Sequence, residues 1–501
     1  MVLPFQHIPN NERMPLFFAE VNNSQANTGG TTQRALMIGQ ILSTGQAVPN
    51  TPVRCQGLND AIAQGGAGSM LHLMTQAFLA NNPFFEVWYL PLADATGSAA
   101  ASTTLTFLTS PTAQGSIALY VAGQSVPVLV SASETVTAIA TAVAAAINAM
   151  PNLPVTATSA AGVVTITAKN KGLCGNDIDI RFNYMGVQNG EATPLGLTYS
   201  CTGTVDGSGW LLTGGLVNPV LSTALSNLGS QTYDYIASPY TDGTSTAALT
   251  SFLNDSTGRW SWESQIYGHN FIAYRGTMGA VQTYGLTMND QHTSCMGFYD
   301  SPTPNWVWAA AITGAASSSA SVDPAMPMHT VPIYGVQAPP LLSQFNGTGQ
   351  NSLLWSGIST FNVNVSGQCS IQDMITTYQT NSSGVADNSY LQVETLFTLM
   401  YVLRFLQAVV TSKYARVKLA ANGTAFAPGS GIVTPNTVKS DIIAGYSQLV
   451  WNGICQNAAA FAANLIVEQN STNPNRLDVL YPADLIDQLD VFATLLQFRL
   501  M

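Results

Sequence analysis

Short apolar runs and helical spacings alternate along most of this chain, with a polar opening before them and a weakly alternating stretch between them. Leu16-Phe17-Phe18-Ala19-Glu20-Val21 is a strand-like run in a segment punctuated by Pro4, Pro9 and Pro15. A single strand leaves its backbone groups unpaired, so it must join its own domain's sheet or another chain's. Arg34–Gln40 and Phe84–Leu92 read as buried strands. Between them, Met70, Leu71, Met74 and Phe78 fall on one side of a helix over about 69–80, with Ser69 as its N-cap. Strand, helix, strand in that order predicts a parallel α/β unit.

From Thr96 the pattern changes. Short alternating runs surround an Ala-rich helix over Glu134–Met150 that Pro151 ends, predicting an inserted β-rich module with one helix. The α/β pattern returns with strands at Tyr233–Pro239 and Asn270–Arg275 and helices at Ser245–Leu253 and Trp306–Ala320. Further on, a long helix is predicted from Asp387 or Asn388 to about Thr411, apolar on most faces and therefore buried on most of them. A second helix starts at Thr434 (N-cap) and Pro435, carries Val438, Ile442, Tyr446 and Leu449, and stops at Gly453. The final run from Val491 has strand character, with Phe492, Leu496 and Phe498 among its apolar positions; it is either the last strand of its own sheet or an arm for a neighbour. The fold class is thus α/β and α+β multidomain. We divide the chain into an arm (1–30), an α/β segment packing with later domains (31–95), the module (96–195), a central α/β domain (196–345), a C-terminal domain (346–490) and a terminal strand or arm (491–501).

Composition changes the picture in one respect. Charged residues make up 8% of the chain, against about 25% in ordinary globular proteins. Apolar content is 46%, so disorder does not explain the deficit. A surface of Ser, Thr, Asn and Gln is cheap to desolvate and suits a subunit buried against its own copies. The net charge of −11 argues against nucleic-acid binding, which needs a basic footprint. The six cysteines are too scattered for a zinc site or a disulfide framework and read as free thiols. The start MVLPFQHIPNNER lacks a basic region followed by an apolar run, so no signal peptide is expected. The best candidate for a membrane span, Leu391–Val410, contains Glu394 and Arg404 and reads as a core helix.

Chemistry is sparse. Gly243-Thr244-Ser245-Thr246-Ala247 resembles the serine segment of subtilisin-like proteases, but nucleophilic catalysis needs a base and an orienting acid. Only His7 and His72 precede Ser245, and neither has a suitable context, so Ser245 reads as part of a helix start capped by Asp242 or Thr244. His269, His292 and His329 match no metal motif, no P-loop is present, and no cofactor or metal is expected. Asp484, Asp487 and Asp490 are spaced for one helical face, either solvated or facing a basic partner.

The stretch Ile371–Tyr390, IQDMITTYQTNSSGVADNSY, resembles the C-terminal domain of contractile phage tail sheath proteins of the Mu-like branch. So do Arg34–Gly39, Asn82–Trp88, Lys171-Gly172 with Gly175-Asn176, Gly357–Thr360, Thr434-Pro435 and Asn473–Asp478, in the family's order along nearly the whole chain. Asp373 and Gln456-Asn457 depart from the pattern, which often has a basic residue and a Glu-Asn pair there. The resemblance implies a tail-sheath-like C-terminal domain and a subtilisin-like central domain without protease function. It implies a structural subunit that stacks as homo-hexameric rings around an inner tail tube and contracts. Its partners would be itself, the tube protein, and the baseplate and tail terminator proteins, with no nucleic acid and no membrane. It would sit in a virion tail assembled in the host cytoplasm. Leu16, Phe17, Phe18 and Val21, together with Phe492, Leu496 and Phe498, would link subunits; Asp484, Asp487 and Asp490 would be candidates for contact with the tube or a neighbour. A sheath of a non-virion injection system and an extracellular adhesin are the alternatives.

Overall fold

The computed structural model describes residues 32–427 and 429–500. Apart from residue 32, they fall into two bodies, one formed by 33–400 with 485–500 and the other by 401–427 with 429–484.

The first body is built on a six-stranded sheet. Its order is Thr293–Phe298, His269–Arg275, Tyr235–Ala237, Ala35–Gln40, Val87–Leu92, Val53–Arg54. Every neighbouring pair is parallel except the last, where Val53–Arg54 runs antiparallel at the edge. The segment before the module and the segment after it therefore build one sheet, with Ala35 opposite both Tyr235 and Val87. Ala35–Gln40 and Thr293–Phe298 are buried throughout, as strands covered on both faces must be. The helices Met70–Asn81 and Asn305–Ala320 pack closely because Gly314 lacks a side chain: a Cβ there would lie 2.7 Å from the Phe78 carbonyl. Ser69 caps the first of these helices, its Oγ accepting from His72 N at 3.1 Å.

Between the sheet strands Val87–Leu92 and Tyr235–Ala237 the chain carries an insertion whose ends meet, Ala99 and Leu216 forming an isolated backbone bridge. Between them lie two antiparallel sheets and the helix Val136–Asn148. One sheet has the order Thr198–Cys201, Ser102–Thr109, Val163–Ala168, Val155–Ala160; the other has Thr204–Asp206, Gly209–Leu211, Asp179–Phe182, Gly115–Val121, Gln124–Val130. Both sheets are completed by strands beyond residue 195, the end assigned from sequence. Those strands are only three or four residues long, too short for a readable alternation. Nor is the module a separate body: its apolar core is continuous with that of the parallel sheet.

A three-stranded sheet follows, Pro332–Ile333, Cys369–Asp373, Thr360–Val363. The Thr376-Thr377-Tyr378-Gln379 run then stitches later chain to earlier. Thr377 N donates to Thr293 O at 2.8 Å, and Gln379 Nε2 donates to the carbonyls of Gly285 and Met288. Tyr378 donates to Asp387 at 2.9 Å.

The long helix spans Val393–Tyr414, beginning about five residues later than the sequence predicts, and it is not buried on most faces. Val393, Leu396, Phe397 and Met400 are buried, whereas Tyr401, Leu403 and Val410 are exposed. By length and composition alone it could cross a membrane. Its first turns, however, sit in the protein core, with Phe397 stacked on Tyr235 at 4.9 Å. The second body adds the parallel pair Lys418–Leu419 and Ile432–Val433, the helix Pro435–Trp451 capped by Thr434, the helix Ala458–Asn464, and the hairpin Ile466–Gln469 with Leu477–Leu480. Tyr446 and Phe461 stack at 3.6 Å in its core.

Candidate functional site

Ser245 is the residue whose surroundings first bear on chemistry. Its Oγ donates to Asp242 Oδ2 at 2.8 Å and its N–H to Asp242 Oδ1 at 3.0 Å, so Asp242 is the N-cap of Gly243–Leu253. Asn218 donates to the same carboxylate. No imidazole is among these partners. A serine and a histidine do meet elsewhere, Ser294 Oγ with His269 Nε2 at 2.9 Å, but both are fully buried, on the edge strand of the parallel sheet and its neighbour. Among the described residues, no group of three or more His, Cys, Asp or Glu is placed to hold a metal ion.

The largest electrostatic feature is internal. Arg275 bonds Asp177 at 2.7 Å and Asp206 at 3.0 Å; Arg181 bonds Asp179 at 2.6 Å and lies 3.2 Å from Asp300. Asp177 also accepts from Asn305 N. Burial pushes the Asp177 and Asp179 carboxyls up, even though the guanidinium charges pull the other way. Arg275 and Asp300 belong to the parallel-sheet region, and the other four to the module, so these ion pairs fasten one to the other. The Thr204–Leu211 hairpin fits because its turn residue Gly207 has φ +55° and no side chain: a Cβ would lie 2.1 Å from Asp300. Scattered Asp and Arg at these spacings gave no sequence signal of a network.

The candidate linking residues fall differently. Leu16, Phe17, Phe18 and Val21 lie outside the described residues. Residues 491–500 form no strand, so the alternative of a final strand in the chain's own sheet is not realised. They expose Phe492, Leu496 and Phe498 at 83%, 83% and 77%, far above what an apolar side chain retains once packed. The acidic set is corrected too. No helix spans Asp484–Asp490, so their spacing creates no common face. Asp484 accepts from Asn457 Nδ2 at 2.5 Å and its N–H donates to Tyr446 Oη at 3.0 Å, while Asp490 bonds His329 and Gln392 at 3.0 Å each.

One feature sequence reasoning missed is the hairpin Ile466–Gln469 with Leu477–Leu480. It is a sheet of two strands with four residue pairs and no further strand on either edge among the described residues. Ile466 and Leu480 are exposed. The Asn470–Asn475 turn, rich in Asn, Ser, Thr and Pro, was its available signal. Isolated two-stranded hairpins are marginal in water.

Comparison with known proteins supplies the lineage. Family models of the phage tail sheath protein central domain and C-terminal domain match residues 214–377 and 385–499. The Mu-like prophage FluMu tail sheath protein of Haemophilus influenzae is 34% identical over 502 residues, covering 100% of both chains. Sheath tail proteins of known structure from Desulfitobacterium hafniense and Listeria innocua align over 95% and 92% of this chain and 97% and 94% of their own. Their identities are 12% and 13% and their TM-scores 0.48 and 0.46. The first family match begins at residue 214, beside the Ala99–Leu216 bridge that closes off the module. With full-length identity to a sheath protein on both sides of that module, the chain belongs to the contractile phage tail sheath family, in its Mu-like branch.

Proposed function

We propose that this chain is the repeating subunit of a contractile tail sheath, stacking as hexameric rings around an inner tube and shortening to drive the tube through the host envelope. Its partners are further copies of itself, the tube protein, and the baseplate and terminator proteins at the two ends. It is assembled in the host cytoplasm and works in the virion tail. It is a mechanical part and not a hydrolase, a reading supported by the capping role of Ser245.

Two separate features support this reading: an exposed apolar stretch, 491–500, that belongs to no strand, and a two-stranded hairpin with open edges among the described residues. In a polymer, the tail of one copy adds a strand to the hairpin of another, and Leu16–Val21 supplies a second strand. Each backbone hydrogen bond contributes only about 0.5–1.5 kcal/mol net. Repetition over a lattice multiplies that contribution, and the chain entering each strand can bend while the strand stays paired. Subunits can then slide and rotate during contraction without separating. Removal of everything after Asp490 should abolish ordered polymer in negative-stain images while circular dichroism of the subunit is retained. Normal tubes from the shortened chain would refute the linkage.

A further inference from the structure

The root of the terminal tail is held by a contact that requires a proton. His329 Nδ1 lies 2.5 Å from the Gln372 carbonyl, and its Nε2 lies 3.0 Å from Asp490 Oδ1. A carbonyl only accepts, so Nδ1 carries hydrogen. A carboxylate also only accepts, so the second contact needs hydrogen on Nε2 or on Asp490. Imidazole is the stronger base by roughly 2–3 pKa units, and His329 is therefore the imidazolium, the one form in which both nitrogens donate. The other Asp490 oxygen accepts from Gln392 Nε2 at 3.0 Å. Asp490 thus seats between two donors, one residue before the exposed tail.

We propose that His329 is a protonation-controlled latch: as imidazolium it fixes the base of the C-terminal tail through Asp490, and on losing its proton it releases it. Neutral His329 would turn the Nε2 lone pair toward a carboxylate oxygen, replacing attraction with repulsion. The titratable groups facing it are Asp490 from the tail, Asp373 at the end of the Cys369–Asp373 strand, and Glu394 in the first turn of the Val393–Tyr414 helix. Partial burial pulls His329 down, but the bonds to Gln372 and Asp490 and the two aspartate charges outweigh it and raise the pKa. Burial pushes Asp373 up to about 6, with the charge of Asp490 adding to it. For His329, whose raised value includes the bond to Asp490 and its charge, the proton is bound more tightly when the tail is seated. The seat is therefore full below the ordinary histidine value of 6.5 and is lost as pH rises through the raised one. The consequence for assembly rests on the linking role of the tail proposed above; the latch itself does not.

The test reads the tail and the ring separately in the full-length subunit. A fluorophore attached at the C-terminus should lose anisotropy as pH rises, with the midpoint at which the His329 ring signal titrates. Only five histidines are present, so ring-labelled NMR resolves that signal, and loss of a peak in His329→Ala assigns it. His329→Ala should give low, pH-independent anisotropy. Asp490→Asn should keep the tail seated at every pH, because an amide can donate to neutral Nε2, and should return the His329 midpoint toward the ordinary value. A wild-type tail indifferent to pH, a pH response persisting in His329→Ala, or a His329 midpoint unchanged by Asp490→Asn would each overturn the latch. If the tail loosens in His329→Ala and polymer yield by sedimentation is unaffected, the latch stands and the linking role fails.

Discussion

Glu394 shows how far a single residue departs from its sequence reading. On an apolar helix it argued against a membrane span, and nothing indicated that it would be 3% exposed. Its Oε1 accepts from Met328 N at 2.8 Å, while Oε2 has no partner. Burial pushes its carboxyl up to about 7, so in the folded protein it is the acid at mildly acidic pH, where a free glutamate is already ionised. Because the folded value lies above the ordinary 4.5, the contribution of this group to stability is full below about 4.5 and is lost as pH rises through about 7. Glu394→Gln keeps the acceptor and removes the titration. Urea midpoints of the variant should fall less between pH 5 and 8 than those of the parent, and an identical slope would contradict the assignment. Asp242 and Ser245 make a second pair at this scale. Asp242→Ala should cost about 1 kcal/mol, as loss of an N-cap does. Ser245→Ala should fold, polymerise and behave in generic ester and peptide assays as the parent does; loss of a measurable activity would show Ser245 to be more than a helix-start residue.

At the scale of elements, the sequence was most legible where local chemistry decides. Ser69, Thr434 with Pro435, and the buried strands of the parallel sheet all lie where patterning and capping put them, because a cap needs only its own turn and a doubly covered strand needs only apolar residues. It was least legible where distant partners decide. The second half of Val393–Tyr414 still carries Phe405, Leu406, Val409 and Val410, and no periodicity tells which half finds a covering surface within one subunit. The four aspartates and two arginines joining module to sheet are spread from Asp177 to Asp300, invisible until the chain folds. This network determines what removal of the module would do. Its ends are hydrogen-bonded neighbours, Ala99 N to Leu216 O at 3.1 Å, so a short bridge can close the gap. Removing 100–215 nevertheless leaves Arg275 and Asp300 without these partners. Deletion would also uncover the apolar core that the module shares with the sheet, so the network is better probed in the intact chain. An orphaned buried charge costs about 3–5 kcal/mol, so Arg275→Met, which strands Asp177 and Asp206, should markedly lower the thermal unfolding midpoint. An unchanged midpoint would mean the network does not fasten the module.

At the scale of the whole molecule, the composition and the surface describe the same thing. A chain with 8% charged residues presents faces that lose little when water is removed, and this one exposes Phe492, Leu496 and Phe498 at its end. On the proposed linkage, a lattice would gain one strand pairing per copy from such a tail. Truncation of residues 1–24 should weaken ordered polymer for the same reason, measured by sedimentation beside circular dichroism of the subunit; loss of the folded signal would instead assign Leu16–Val21 to the chain's own core. The most direct measurement is a near-atomic electron cryomicroscopy map of the assembled full-length protein. The account predicts residues 491–500 of one copy paired as a strand against the Ile466–Gln469 and Leu477–Leu480 hairpin of another. A map in which that hairpin keeps its open edges, or in which 491–500 folds back onto its own subunit, would contradict it.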